Sequence, residues 1–325
     1  MFDVITIGSA TKDVFMEDDS FIIAKSEDSP TGEIECFPLG SKIDIDKIVF
    51  STGGGGTNSA VTFARQGHNV ASICIIGADK DGKEIIEVLE NEGVDTSLIQ
   101  KHDDNITSYS VILVHSSGSR TILNYKGEAQ HFDVNKIDLD KIDAKWLYLG
   151  SVGNNWDVMY KLVEHAKSKG IKLAINTTGS MFKDGPDALL KVAGDMDIFT
   201  CNREEGSQLT GIKREDWDGI ASKLHEIVGG IVSVSGGIEG VLVIDKEGKK
   251  YKAGIPDSPI EERTGAGDAF ASGFVAEYMR SEDITKAIQF AVANASSVVS
   301  KFGAKDGILK KDETSEWPLV EVEVI

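Results

Sequence analysis

The chain has 325 residues, 41% of them hydrophobic and 27% charged, a balance that belongs to folded globular proteins and excludes disordered and membrane-embedded classes. Its formal charge is −19, from 53 acidic residues against 34 basic ones with no acidic tail, so a nucleic-acid backbone is excluded as a partner for want of a basic face. Three widely spaced cysteines, Cys36, Cys74 and Cys201, lack any CxxC pair and read as small buried hydrophobes in a reducing cytoplasm, not as a disulfide framework or zinc cluster.

The N-terminal "MFDVITIGSA" has no basic region before its apolar residues and carries Asp3 among them, so it does not read as a signal peptide. No apolar run approaches the ~20 residues of a membrane span. Val4 to Ile7 predicts a short buried strand that runs into Gly8. Similar runs follow at 71–76, 146–149, 173–175, 198–200, 231–234 and 241–244. Between them, "DGKEIIEVLENEG" sets Ile85, Ile86, Val88 and Leu89 on one side of a helix stopped by Gly93, and "WDVMYKLVEHAKSKG" repeats the layout with Gly170 as its stop. Strand and helix alternating at this spacing predict an α/β, doubly wound, mostly parallel sheet covered on both faces. Two stretches break the rhythm. Residues 14–52 hold strand-like pieces ("FII", "EIECF", "KIDIDKIVF") without helices, and residues 107–124 read as a hairpin about "SSGS"; together they predict one small β-sheet set beside the main one within a single domain, 1–325. The closing "WPLVEVEVI" alternates apolar and acidic residues as an edge strand does.

Two glycine-rich stretches carry the chemistry. "STGGGGTNSAVTFARQG" places four glycines, Gly53 to Gly56, before Thr57, Asn58 and a helical pattern, where backbone can approach a ligand and helix amides lie unpaired. Asn58 breaks the Rossmann spacing, and no lysine follows as a P-loop requires; in "GADKDGKE", Glu84 stands where a P-loop needs Ser or Thr. "TGAGDAFASGF" sets Gly265, Ala266 and Gly267 at a helix start, with amides able to cradle an anion, and Asp268 in the first turn. Taken alone, Asp268 is equally a partner of the helix dipole or a general base beside an anion cradle, the combination that moves a phosphoryl group onto a hydroxyl.

Together these stretches resemble the PfkB, or ribokinase-like, family of sugar and nucleoside kinases, whose C-terminal signature has the form D-T-x-G-A-G-D. The resemblance covers nearly the whole chain. It implies Asp268 as the catalytic base with Gly265, Ala266 and Gly267 as the anion hole. It also implies that Asp13 of "GSATKD", Gly54, Gly55 and Asn58 bind the acceptor, with Asp79 and Lys83 structural. "CNREEGSQLTG" is similar to the N-x-x-E segment, which makes Asn202 and Glu205 organisers of Mg2+ through water, as that ion prefers. "VSVSGGIEGVLV" implies Ser235, Gly237 and Gly240 beside the nucleotide, and Asn176 and Asn294 match asparagines near it, with a buried structural role as the alternative for both. The family fold adds a small β lid over the sugar, where the two irregular stretches fall; such a lid excludes water on closing and often makes a dimer, so a homodimer through it is expected.

Three positions depart from the pattern. Glu262 stands for the signature's first Asp, which in relatives helps bind a monovalent cation, so potassium activation is in doubt. Arg263 follows it, either as a charge near the transferring phosphate or in a surface ion pair with Glu261. Gly55 replaces the lysine that ribokinase carries there, which weakens an assignment to ribose and leaves room for a bulkier acceptor. The six histidines fall in no metal-binding spacing. The expected protein is an ATP- and Mg2+-dependent sugar kinase of the cytoplasm. A nucleoside kinase using Phe15, Met16 and Phe37 around a base is the alternative, and a regulator that keeps the fold without the chemistry is a third reading.

Overall fold

The computed structural model describes residues 1–29, 32–115, 120–127, 132–153, 155–183, 185–313 and 315–325. Its main sheet begins with β1 (Phe2–Ile7), in which alternate residues point to opposite sides: Ile5 and Ile7 join one core and Val4 the other. β1 lies between β6 (Val70–Ile73) and β11 (Ala144–Leu149), both parallel to it. β12 (Lys172–Asn176), β13 (Ile198–Asn202) and β14 (Ile231–Ser235) continue the parallel run outward from β11. β15 (Val241–Ile244), β16 (Lys250–Ala253) and β17 (Val322–Val324) then add antiparallel strands at that edge. The C-terminal segment thus takes the edge position that its glutamates suit.

One face packs α1 (Gly55–Arg65), α2 (Lys80–Asn91), α7 (Ala266–Ser281) and α8 (Ile284–Val299). The other packs α3 (Trp156–Lys169), α4 (Asp187–Ala193), α5 (Arg203–Thr210) and α6 (Trp217–Val228). Gly170 ends α3 at φ 68°, and its N–H and the left-handed turn close the last carbonyls, as the pattern predicts. None of the helices is long and apolar enough to cross a membrane, among the described residues.

The second sheet is separate and has four strands in the order β10 (Arg120–Tyr125), β9 (Ser108–Val114), β2 (Thr11–Glu17), β5 (Lys47–Gly53). Three details differ from the sequence reading. β2 begins at Thr11, because "TKDVFME" puts Thr11, Asp13 and Phe15 on one face while it pairs parallel to β9 and antiparallel to β5. "FII" and "EIECF" supply β3 (Ile22–Lys25) and β4 (Glu33–Cys36), which pair only with each other. The run 71–76 breaks at Cys74, so that β7 (Ile75–Gly77) leaves the main sheet to pair with β8 (Gln100–His102). The predicted tip "SSGS" lies outside the described residues.

Candidate active site

Asn176, Asn202 and Ser235 end β12, β13 and β14, and Gly8 follows β1, so all four stand at the carboxyl edge of the parallel sheet, where such sheets bind ligands. The N-termini of α1 and α7 meet the same edge. Two adjoining cavities share Ser235, Arg263, Gly267 and Phe270. One, of about 250 Å3, is polar and lined by Asn176, Thr177, Asn202, Glu205 and Asp268. The other, of about 200 Å3, is walled by Ile238, Val241, Ile260, Phe270 and Val292, with Gly237 and Gly240 at its rim.

The glycines before α1 are set by close approach. A Cβ on Gly56 would stand 2.7 Å from the carbonyl carbon of Gly8, and one on Gly54, at φ 95°, would lie 2.4 Å from the Ser9 carbonyl oxygen. Gly53 makes room for Asp13, whose Oδ2 would be 1.8 Å from an added Cβ. Asp13 is buried and accepts from Thr11 Oγ1 at 2.8 Å; burial pushes its carboxyl up from the ordinary value. Gly55 faces the base itself, since a Cβ there would come 3.2 Å from Asp268 Oδ1.

Asp268 sits in the first turn of α7 after Gly265, which takes φ 82° because Ala304 packs where its side chain would be. Its Oδ2 accepts from Asn58 Nδ2 at 2.9 Å and its Oδ1 from Asn176 Nδ2 at 3.3 Å. Burial raises its pKa, the Asn58 hydrogen bond and the charge of Lys305 act the other way, and Asp13 adds to the rise. A carboxylate whose pKa is raised is a stronger base than an ordinary one, as proton abstraction from a hydroxyl requires. Of the amides in the anion cradle, that of Ala266 already reaches the Arg263 carbonyl at 3.3 Å, while Gly265 and Gly267 both line the polar cavity.

Asn202 and Glu205 form a reciprocal capping box: Asn202 Oδ1 accepts from the Glu205 N–H at 2.9 Å, and Glu205 Oε2 accepts from the Asn202 N–H at 3.1 Å. Thr177 Oγ1 also donates to Oε2, at 2.7 Å. Both protein hydrogen bonds to Glu205 use Oε2, so Oε1 keeps its lone pairs at the cavity wall, and these hard oxygens suit Mg2+ held through water. Among the described residues no three His, Cys, Asp or Glu side chains gather at one point.

Glu262 is 1% exposed, unlike the surface residue its charge suggests. Its carboxylate accepts from the Thr264 N–H at 2.8 Å and Thr264 Oγ1 at 2.6 Å, and it pairs with Arg120 Nε of the small sheet at 3.3 Å. Arg263 makes no ion pair with Glu261; it lines both cavities. Asp79 caps α2 through the Gly82 N–H at 2.8 Å and takes the Thr107 N–H at 2.7 Å, a structural tie to the start of β9.

Asn294 requires a correction. It is wholly buried in α8, its Nδ2 donating to the Ala269 carbonyl at 2.8 Å and its Oδ1 accepting from the Leu309 N–H at 2.9 Å, so its amide is used up in joining α7 to the segment after α8 and does not face the cleft. Two residues of the site were not read from the sequence. Lys305 is buried against Asn58, and Arg120 reaches into the polar cavity from β10. The small-residue run Gly303-Ala304, which lets the chain pass under Gly265, is the only local signal for the first.

With this geometry in hand, residues 4–311 match the pfkB family carbohydrate kinase model. A ribokinase of Haemophilus influenzae is 29% identical over 273 residues, covering 82% of this chain and 86% of the relative. A nucleoside kinase of Methanothermobacter thermautotrophicus is 26% identical over 271 residues, covering 82% and 85%. Among solved structures, an E. coli protein assigned as a ribokinase II, in complex with ATP and Mg2+, superposes with a TM-score of 0.79 at 19% identity, over 95% of this chain and 96% of that one. The chain belongs to the pfkB family of carbohydrate kinases, phosphotransferases that act on hydroxyl groups.

Proposed function

We propose that the protein transfers the γ-phosphoryl group of ATP to a hydroxyl of a sugar or sugar derivative. The observation that carries this reading is Asp268, held by Asn58 and Asn176 at the head of α7, with Gly265 and Gly267 beside it on the wall of the polar cavity. The acceptor lies over Gly54 and Gly55, oriented by Asp13 and the second N–H of Asn58. Asp268 takes the proton of the attacking hydroxyl, while the amides of Gly265 and Gly267 hold the charge on the transferred group. Ser235, Gly237 and Gly240 face the nucleotide, with its base in the apolar cavity. Asn202 and Glu205 would hold Mg2+ through water, where it shields the nucleotide phosphates.

A sugar is favoured over a nucleoside by the fate of the aromatic residues that would grip a base. Phe15 is 1% exposed and meets Phe302 edge-on at 6.2 Å between ring centroids, and Phe37 meets Phe21 edge-on at 5.4 Å, neither lining the two cavities. The small sheet serves as a lid. Its outer face exposes Ile48, Phe50, Leu123 and Tyr125, an apolar surface that a second copy of the chain covers in a homodimer; a Phe50→Glu variant that sediments like the parent would refute this. For the reaction itself, Asp268→Asn is expected to bind ATP like the parent while turnover on a panel of pentoses, hexoses and nucleosides falls by about two to four orders of magnitude. Near-normal turnover would remove Asp268 as the base.

A further inference from the structure

Lys305 follows α8 and is 6% exposed, a lysine placed where an ammonium is costly unless it is paired. Its Nζ donates to the Thr52 carbonyl at 2.7 Å and to Asn58 Oδ1 at 2.8 Å. The other end of the Asn58 amide donates to Asp268 Oδ2 at 2.9 Å. A chain of two hydrogen bonds therefore joins the ammonium to the carboxylate. The backbone that carries Lys305 is clamped as well: Arg65 Nη1 donates to the carbonyls of Lys305 at 2.9 Å and Ile308 at 2.7 Å, and Gln66 Nε2 donates to the Leu309 carbonyl at 2.8 Å.

We infer that Lys305 is the positioning residue of the base: it fixes the Asn58 amide with its N–H toward Asp268, and supplies the positive charge that lets two buried carboxylates, Asp13 and Asp268, share one pocket. An unclamped asparagine could turn its oxygen to Asp268, and the hydrogen bond would become a repulsion between two acceptors. Without the cation, the two carboxylates would compete for ionisation, and one would stay protonated at neutral pH. This inference rests on the reading of Asp268 as the base.

The groups that face Asp268 and Lys305 come from each surrounding element: Asp13 from β2, Asn58 from α1, Tyr148 from β11, Asn176 from β12, and Cys74 and Asp306 from the adjoining loops. Tyr148 is pushed far up by burial and Cys74 up to about 12, so both are neutral near pH 7. Burial brings Lys305 down to about 8 against the pull of Asp13 and Asp268, which still leaves the ammonium protonated at neutral pH. Lys305 then opposes both carboxylates, while Lys12, on β2 beside Asp13, adds a weaker pull on Asp13 alone.

The test uses the full chain labelled with 13C-aspartate and 15N-lysine, the Asp268 carboxyl signal being assigned by its loss in Asp268→Asn. In Lys305→Met the Asp268 midpoint is expected to rise by about one pH unit or more, and in Lys305→Arg to stay near the parent value. With the sugar or nucleoside that the parent phosphorylates, Lys305→Met should lose roughly 10- to 100-fold in kcat/KM at pH 7 and shift the acid limb of its pH profile by the same amount, with affinity for a non-hydrolysable ATP analogue unchanged. An Asp268 midpoint that stays or falls in Lys305→Met overturns the inference. If Lys305→Met does not fold, the parent decides: a Lys305 already neutral at a pH where Asp268 is still protonated overturns it, and an ammonium that persists throughout Asp268 ionisation supports it. Failure of the kinase reading looks different, because a parent without turnover, or an Asp268→Asn with full turnover, leaves the NMR result standing.

Discussion

The polar and apolar ends of the cleft meet at Gly267 but are built on different principles. At the polar end, Asp13, Asn58, Asp268 and Lys305 are side chains from four segments distant in sequence, each bonded or charge-coupled to another. At the apolar end, Gly237 and Gly240 present backbone while Ile238, Val241, Ile260 and Val292 provide only shape. A side-chain network is high-stakes, since every unmade partner is a buried unpaired group. A wall of aliphatic side chains tolerates exchange so long as volume is kept. On the proposed reading, discrimination among hydroxyl acceptors resides at the polar end, and the apolar end selects by shape alone.

The largest expected effect breaks the polar end alone: Asp268→Asn, with its loss of turnover and retained ATP binding. The corresponding break at the apolar end is Gly240→Ala. Gly240 has φ 94° and ψ −141°, a region that side-chain-bearing residues scarcely enter, and an added Cβ would lie 2.0 Å from the Ala253 carbonyl oxygen. The strain should lower stability by about 1–3 kcal/mol. The turn that bonds the Gly236 N–H to the Gly240 carbonyl at 2.8 Å should open, raising KM for ATP by roughly tenfold with kcat little changed. A fall in kcat at unchanged KM would mean that the two ends are not separable.

The same division decides what could be read from the sequence. The alternating strands and helices were legible because the apolar runs are local, and the start of α7 was legible because glycines and an acid lie together in "TGAGD". The N-x-x-E segment was legible only through the family resemblance, since by themselves Glu204 and Glu205 read as a solvated helix start, and the capping box emerges only in the structure. Lys305 was not, because its partner Asn58 is 247 residues away and a lysine in "GAKDG" looks like any surface lysine. Glu262 and Arg120 are hidden in the same way, each meaningful only when the small sheet is set against α7. Asn294 was left with two readings, because an asparagine in an apolar helix looks identical whether it serves a ligand or two backbone groups.

The smallest expected effect is on stability, and it tests whether the polar end is held at a cost. Burial raises the Asp268 pKa even after the opposing pull of Asn58 and Lys305, so the folded protein binds this proton more tightly than the unfolded chain does. The stabilisation that comes with that proton is complete below the unfolded value, about 3.9, and is lost as pH rises through the folded value. Above the folded value the fold therefore carries an ionised group it would hold more easily as neutral. Asp268→Asn removes the charge and keeps a side chain of the same shape, so the inactive variant should melt a few degrees above the parent at pH 7, about what 1 kcal/mol yields in a domain of this size. The difference should shrink toward zero as pH falls to about 4, where the parent is protonated too. A variant that melts below the parent at pH 7 would show that Lys305 needs the Asp268 charge more than burial opposes it, and the polar end would then be a stabilising network and not a strained one.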